Sequence, residues 1–129
     1  MSSRFYLLVS ALSGAVSVAL GAFGAHGLKK IVSPEMLVVY QTGVQYQFIH
    51  SLALLALAIL LLVPAAESVK GLVKWSAHLM MLGIVLFSGS LYTMTFMSVS
   101  GGFPSWLGPI TPIGGLAFIM GWILLMVAA

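Results

Sequence analysis

The stretch MLVVYQTGVQYQFIHSLALLALAILLLVPAA at residues 36–66 lies between two glutamates and contains no charged residue. A helix needs about 20 mostly apolar residues to cross about 30 Å of hydrocarbon, so this stretch is long enough to span a membrane. Ser33 can cap the helix, Pro34 suits its first position, and Glu35 lies at the positive end of the helix dipole. These features predict a spanning helix over residues 34–63.

Two further charge-free stretches, residues 5–28 and 75–129, flank this helix. The second is too long for one span and is broken by the sequence GGFP at residues 101–104, by Pro109 and by Pro112. The sequence therefore predicts an all-α fold, an integral membrane four-helix bundle with up-down-up-down order. The predicted helices cover about residues 5–26, 34–63, 72–98 and 110–128 of a single transmembrane domain.

The composition excludes a water-soluble domain. Of 129 residues, 61% are hydrophobic and 5% are charged, whereas a soluble domain has roughly 25% charged residues. The five Lys and Arg residues are spread along the chain and form no basic patch, so we expect no nucleic-acid partner. The chain has no cysteine, which excludes disulfides, thiolate metal ligands and cysteine nucleophiles.

The positive charges predict the orientation of the chain in the membrane. With four spans, Arg4, Lys70 and Lys74 lie on one side of the membrane, and Lys29 and Lys30 lie on the other. The positive-inside rule then favours both termini in the cytoplasm.

Small residues recur at spacings of three, four or seven on one side of three helices. In lipid, close backbone approach through small residues supplies much of the packing between helices. We expect these rows to serve contacts within the chain, with a seam between two copies as the alternative. The rows are Ser10, Gly14, Ser17, Gly21 and Gly24 in the first helix, Ser76, Gly83 and Ser90 in the third, and Gly114, Ala117 and Gly121 in the fourth.

Polar side chains also recur along the second helix. Gln41 and Gln45 are four residues apart, and so are Thr42, Tyr46 and His50 in turn. Lipid cannot satisfy such groups, so we expect them to face protein or trapped water. They form the candidate functional polar cluster of this sequence.

His50 admits two interpretations. An ionisable group within a membrane span is by default a hypothesis of a functional site. The structural alternative is a neutral imidazole bonded to another helix, through Ser88, Ser90 or Tyr92.

The other two histidines do not join His50. His26 ends the first helix and His78 begins the third, at opposite membrane faces, so the three cannot converge on one metal. His26 could pair with Glu35 across the short connection or cap its own helix, and the cap is the simpler interpretation. No nucleophile with a general base, carboxylate pair or phosphate loop is visible, so we predict neither an enzyme nor a cofactor.

Four stretches together resemble the family catalogued as domain of unknown function 423 (DUF423), the small YgdD/YwdK-like membrane proteins. They are GAFGAHGL at 21–28, SPEMLVVYQTGVQYQFIHSLALL at 33–55, LFSGSLY at 86–92 and LGPITPIGGLAFIMGW at 107–122. The resemblance implies four spans in a bacterial plasma membrane and brings no established activity. Gly43 and Ser51 stand where the family pattern has alanine. The matched family-motif positions are His26, Gln41, Gln45, Tyr46, His50, Thr111 and Pro112.

These observations favour a non-enzymatic structural or interaction component of the cell envelope. Its expected partners are the lipid bilayer and either further copies of the chain or other membrane proteins. The alternative is a carrier or channel subunit for protons or small solutes, with the polar cluster lining a hydrated pathway. A third hypothesis is a lipid or quinone groove; its residues would be Tyr46, Tyr92, Trp106, Met80 and Met81.

Overall fold

The computed structural model describes residues 1–129 and is helical throughout, with short connections. A π-helical turn at Ile84–Ser88 joins α3 (Lys70–Gly83) to α4 (Gly89–Ser98), and these three pieces form one continuous third span. Four helices are therefore long and apolar enough to cross a membrane, which confirms the predicted fold class. The helices are α1 (Ser3–Ala25), α2 (Pro34–Leu60), α3 (Lys70–Gly83), α4 (Gly89–Ser98) and α5 (Ile110–Ala128).

Helix ends differ from the predicted positions by up to three residues, and two of these differences have a clear local cause. The first helix begins at Ser3 rather than residue 5, because the side chain of Ser2 caps it. The second helix ends at Leu60 rather than residue 63. Pro64 disfavours helical geometry in the residue before it, and Val63 is accordingly extended, with φ −82° and ψ 120°.

Two predicted boundaries are present in the structure. The Ser33 hydroxyl accepts a hydrogen bond from the Met36 N–H at 3.2 Å, and Pro34 occupies the first turn of α2. The connection between α4 and α5 turns at Gly101 and Gly102, whose φ angles of 108° and 136° favour glycine.

The spans alternate in direction around a central pair. The second and third spans form the centre, with α1 packed mainly on α2 and α5 packed mainly on the third span. Both termini and the α2–α3 connection lie at the same end: Met1 shares a surface cavity with Lys70 and Lys74, and Ala129 shares one with Ala66.

The interior has a polar layer between two apolar clusters. The small cluster at the end with the α4–α5 connection contains Leu91, Met94 and Leu107. The large cluster at the end that carries the termini contains Tyr6, Ala53, Leu54, Leu57, Ala58, Leu61, Val73, Ala77, Met80 and Phe118. The middle of α2 supplies the polar layer, so this part of the chain holds the candidate site.

Glycines on α5 and α3 allow α5 to approach the third span closely. A Cβ atom on Gly114 would overlap the backbone of Phe87 in the π-helical turn, and one on Gly83 would overlap the Phe118 ring. A Cβ on Gly121 would lie 3.2 Å from the side chain of Met80. The small-residue rows of the third and fourth spans therefore face one another within the chain.

The row on α1 is packed at one end and open in its middle. A Cβ on Gly24 would lie 2.6 Å from the Tyr40 ring, and one on Gly21 would lie 3.4 Å from Val44. At Gly14 an added Cβ meets no atom within 4 Å. Gly14 therefore does not make the predicted close contact within the chain; it leaves a groove instead.

Candidate functional site

Of the predicted polar cluster, the structure brings together only Tyr46 and His50, whose ring centroids are 6.0 Å apart. His50 is buried, with 4% of its surface exposed, and Thr42 is half-buried. Gln41, Gln45 and Tyr46 are exposed on the outside of the bundle. The prediction that this whole set faces the interior is therefore wrong within a single chain.

The buried face of α2 alternates spacings of three and four residues. A helix has about 3.6 residues per turn, so a row at constant spacing of four drifts around the helix and leaves the interior. The polar residue that the sequence analysis missed is Gln47, which lies in this row. The exposed side of α2 has the same alternating spacing, so spacing alone could not identify Gln47. The buried row consists of Tyr40, Gly43, Gln47, His50, Leu54 and Leu57, and Ser51, Ala53 and Ala58 are buried beside it.

Gln47 joins three helices at the middle of the bundle. Its Nε2 donates to the backbone oxygen of Ser13 in α1 at 3.0 Å. Its Oε1 accepts from the Tyr92 hydroxyl in α4 at 2.7 Å. The Ser51 hydroxyl lies 2.7 Å from both the Ser13 hydroxyl and the Gln47 backbone oxygen. One amide thus has donor and acceptor partners on two neighbouring helices.

Two further bonds extend this layer. The Tyr40 hydroxyl donates to the backbone oxygen of Leu20 in α1, and the Ser88 hydroxyl donates to that of Gly43 at 2.7 Å. Every buried side-chain nitrogen and oxygen in the chain has a hydrogen-bond partner. The polar layer is therefore fully satisfied by the protein itself, as a helical membrane protein requires.

His50 is held by both ring nitrogens. Its Nδ1 lies 2.7 Å from the Tyr46 backbone oxygen, and the Trp122 indole N–H donates to Nε2 at 3.1 Å. An indole N–H can only donate, so Nε2 is unprotonated and the proton lies on Nδ1. The ring also stacks on Phe118, with centroids 3.5 Å apart and planes 13° apart. This geometry describes a neutral, packed imidazole.

The partner of His50 comes from a different helix than predicted. We expected Ser88, Ser90 or Tyr92 on the third span, but these hydroxyls bond elsewhere. Trp122 on α5 takes that role because α5 lies against the π-helical turn, beside the middle of α2.

Replacing Trp122 with phenylalanine should allow His50 to adopt both neutral tautomers. The variant loses the donor to Nε2, at a cost of about 1 kcal/mol for one interhelical hydrogen bond. Nitrogen-15 NMR of labelled histidine should show a protonated Nδ1 and a bare Nε2 in the unaltered protein, and a mixture of tautomers in the variant. Trp106→Phe, at an exposed position, is the control and should leave the spectrum unchanged. A doubly protonated His50 in the unaltered protein would contradict this geometry.

The other two histidines lie away from this layer. His26 caps its own helix, with Nδ1 2.8 Å from the Ala22 backbone oxygen, and it forms no ion pair with Glu35. His78 lies at the opposite end, with Nε2 3.5 Å from the Tyr6 hydroxyl. No group of three or more His, Asp or Glu residues is arranged to hold a metal ion.

The cavities of the structure lie at its surface, and Ser51 is the one member of the polar layer that lines any of them. None of the four is lined by His50, Gln45 or Gln47. The carrier hypothesis required a hydrated pathway at His50 and Gln45, and the structure gives it no support. The residues of the proposed lipid or quinone groove do not line a common cavity either.

Comparison with known proteins places this fold in a family. The sequence profile described as "Protein of unknown function (DUF423)" matches residues 20–115. The chain belongs to the DUF423 family. It is 42% identical to the UPF0382 membrane protein YwdK of Bacillus subtilis, over 98% of this chain and 96% of YwdK. It is 41% identical to the UPF0382 inner membrane protein YgdD of Escherichia coli K12, over 100% of this chain and 92% of YgdD. No solved structure matches the chain.

Membership in DUF423 confirms the resemblance drawn from the sequence. The relatives are named as membrane or inner membrane proteins of unknown function, and none of these names denotes an enzyme. The chain is therefore a small polytopic membrane protein of a family without an established activity.

The DUF423 motif positions fall into two groups in the structure. His50 and Thr111 take part in contacts between helices; the Thr111 hydroxyl lies 2.6 Å from that of Ser90. Pro112 lies in the first turn of α5, where backbone N–H groups have no partner within the helix, so its missing N–H costs no hydrogen bond. The others, His26, Gln41, Gln45 and Tyr46, are exposed. The exposed glutamines are the part of the motif that packing within one chain does not explain.

Proposed function

We propose that this protein is a non-catalytic component of the bacterial plasma membrane that acts by packing against other membrane proteins, further copies of itself included. Two observations support this function over catalysis or transport. Every buried polar side-chain atom has a hydrogen-bond partner within the chain, and the surface carries two side-chain amides that the chain leaves unbonded.

The outward glutamines carry the proposal. Gln41 and Gln45 are exposed. Among the glutamines of α2, only Gln47 forms side-chain hydrogen bonds within the chain. Moving an amide from water into hydrocarbon without a hydrogen bond costs about 4–8 kcal/mol. A protein partner that offers donors and acceptors removes most of that cost, whereas lipid tails do not.

The depth of Gln45 strengthens this argument. Gln45 follows Glu35 by about ten residues, and this separation is about 15 Å along a helix. The hydrocarbon layer is about 30 Å thick, so the Gln45 amide lies near its centre when Glu35 is at the headgroups. Lipid headgroups and water are too far away to satisfy it.

Charge and relatives support the orientation and location in this proposal. The end of the bundle with the termini carries Arg4, Lys70 and Lys74, and the other end carries Lys29 and Lys30. The excess at the first end favours both termini in the cytoplasm. The name of YgdD specifies an inner membrane protein, and we extend that location to this chain.

Cross-linking in native membranes, followed by native mass spectrometry in mild detergent, tests the proposal. We expect the chain to be recovered as an oligomer or with a stoichiometric protein partner. The double variant Gln41→Leu, Gln45→Leu should lose most of that association, because its α2 no longer needs polar partners. Thr93→Val is the control, since Thr93 is also exposed but bonds its own helix at the Gly89 oxygen. Recovery of a strict monomer without a partner from the unaltered protein would contradict the proposal.

A further inference from the structure

The outside of α2 carries a continuous row of exposed side chains. Their spacing alternates between three and four residues, as in helices that pack along a shared left-handed seam. The row is mostly apolar and includes both unbonded glutamines. We call it the outer face of α2, and its residues are Val38, Gln41, Gln45, Phe48 and Leu52, followed by the half-buried Leu55 and the exposed Ile59.

A groove of about 270 Å³ between α1 and α2 adjoins this face. Phe48 and Leu52 line the groove as well as the outer face, and Ser10, Gly14 and Ser51 make part of its lining small. An added Cβ at Gly14 meets no atom within 4 Å, so the groove has room for side chains from outside. Small residues at such a surface let another helix approach closely.

We propose that a second copy of this chain packs on the outer face of α2, with α2 against α2 about a twofold axis normal to the membrane. This inference rests on the proposed function and names its partner and surface. Copies inserted in the same orientation carry identical residues at the same depth. A twofold axis between the two α2 helices therefore places Gln41 opposite Gln41 and Gln45 opposite Gln45.

The chemistry of the amide makes this arrangement self-complementary. A glutamine side chain has both donors and an acceptor, so two copies can bond each other. A twofold interface uses the same patch on both subunits, so it satisfies both glutamines of both copies at once. An unrelated membrane protein would need matching polar groups at both depths, and a lipid would leave Gln45 unbonded.

A cysteine introduced at position 52 tests directly whether two copies pack on the outer face of α2. The chain has no cysteine, so Leu52→Cys introduces a single thiol on the outer face and keeps both glutamines. Oxidation in native membranes should give a disulfide-linked dimer. Val85→Cys is the matched control, because Val85 is exposed on the third span, away from α2's outer face, and should give none.

The glutamines are tested in the Leu52→Cys background. Adding Gln41→Leu and Gln45→Leu should reduce the cross-linked fraction about tenfold, which corresponds to about 1.4 kcal/mol. Adding Thr93→Val should leave it unchanged. Equal cross-linking with and without the glutamines would overturn their role.

The outcomes separate this inference from the proposed function. An oligomer or partner complex that forms no Leu52→Cys dimer would overturn the surface and leave the proposed function standing. A disulfide that forms only between a Val38→Cys copy and a Leu52→Cys copy would mean antiparallel packing and would overturn the twofold arrangement. A strict monomer would overturn both.

Discussion

Replacing Gly114 with alanine should destabilise the folded chain by about 3 kcal/mol, the upper end for overpacking a core. The added Cβ would overlap the backbone nitrogen of Phe87 and lie 2.8 Å from the carbonyl carbon of Leu86. Backbone atoms of the π-helical turn cannot rotate aside as a side chain can. Relief therefore requires α5 to move away from the third span, which loosens the contact between Trp122 and His50 as well.

Gly115→Ala is the matched control for this experiment. It makes the same change one residue along α5, where the nearest atom to an added Cβ is 3.7 Å away in the Phe87 ring. Unfolding followed by circular dichroism during titration with a denaturing detergent gives the free energy of unfolding for both variants. If Gly114→Ala proves as stable as Gly115→Ala, the close approach of these two helices is wrong.

Replacing Gln47 with leucine should destabilise the chain by about 2 kcal/mol. The substitution leaves the Tyr92 hydroxyl without its acceptor and removes the side-chain donor from the Ser13 backbone oxygen. A buried polar group left unpaired costs about 1–3 kcal/mol. Hydrogen bonds between helices within a membrane contribute free energies at the low end of this range, because the polar groups of the unfolded chain also find partners.

Gln45→Leu controls for the chemistry of this change, because it is the same substitution two residues away on the exposed face. At detergent concentrations that keep the chain monomeric, it should alter the free energy of unfolding by less than about 0.5 kcal/mol. Equal destabilisation by the two substitutions would contradict the assignment of the two faces of α2.

Much of the fold could be predicted because charged residues and helix breakers mark the spans. Charges at Arg4, Lys29, Lys30, Glu35 and Glu67 bound the first two spans, and the sequence GGFP at residues 101–104 divides the charge-free stretch after Lys74 into the last two. The capping residues of α2 fixed its start. The exception at its end has a local cause: Pro64 acts on the residue before it, and the helix stops earlier than its hydropathy suggests.

The candidate site was harder to predict because glutamines that are close in sequence have opposite environments. Gln45 and Gln47 have the same chemistry, but two residues on a helix differ by about 200° in direction. Gln45 and Gln47 each lie in a row with alternating spacings of three and four, and it is the row with Tyr40 and Gly43 that faces the other helices. The choice depends on neighbours on other helices, and local periodicity of polar residues does not contain that information.

The contact between His50 and Trp122 could not be predicted from the sequence, for a related reason. It depends on how α5 sits against the third span, and the π-helical turn at Ile84–Ser88 has no signal in composition or hydropathy. Gly83 and Gly114 indicate close approach, but they do not say which side chain of α5 reaches α2.

A double-mutant cycle between Gln47→Leu and Tyr92→Phe tests most directly whether the inner face of α2 ties the helices together. The free energies of unfolding of the two single variants, the double variant and the unaltered chain give the coupling between these side chains. Because the Tyr92 hydroxyl donates to Gln47 Oε1, we predict a coupling of about 1 kcal/mol. A cycle with Gln45→Leu in place of Gln47→Leu should give a coupling within about 0.3 kcal/mol of zero. No coupling for Gln47, or a larger one for Gln45, would contradict the account.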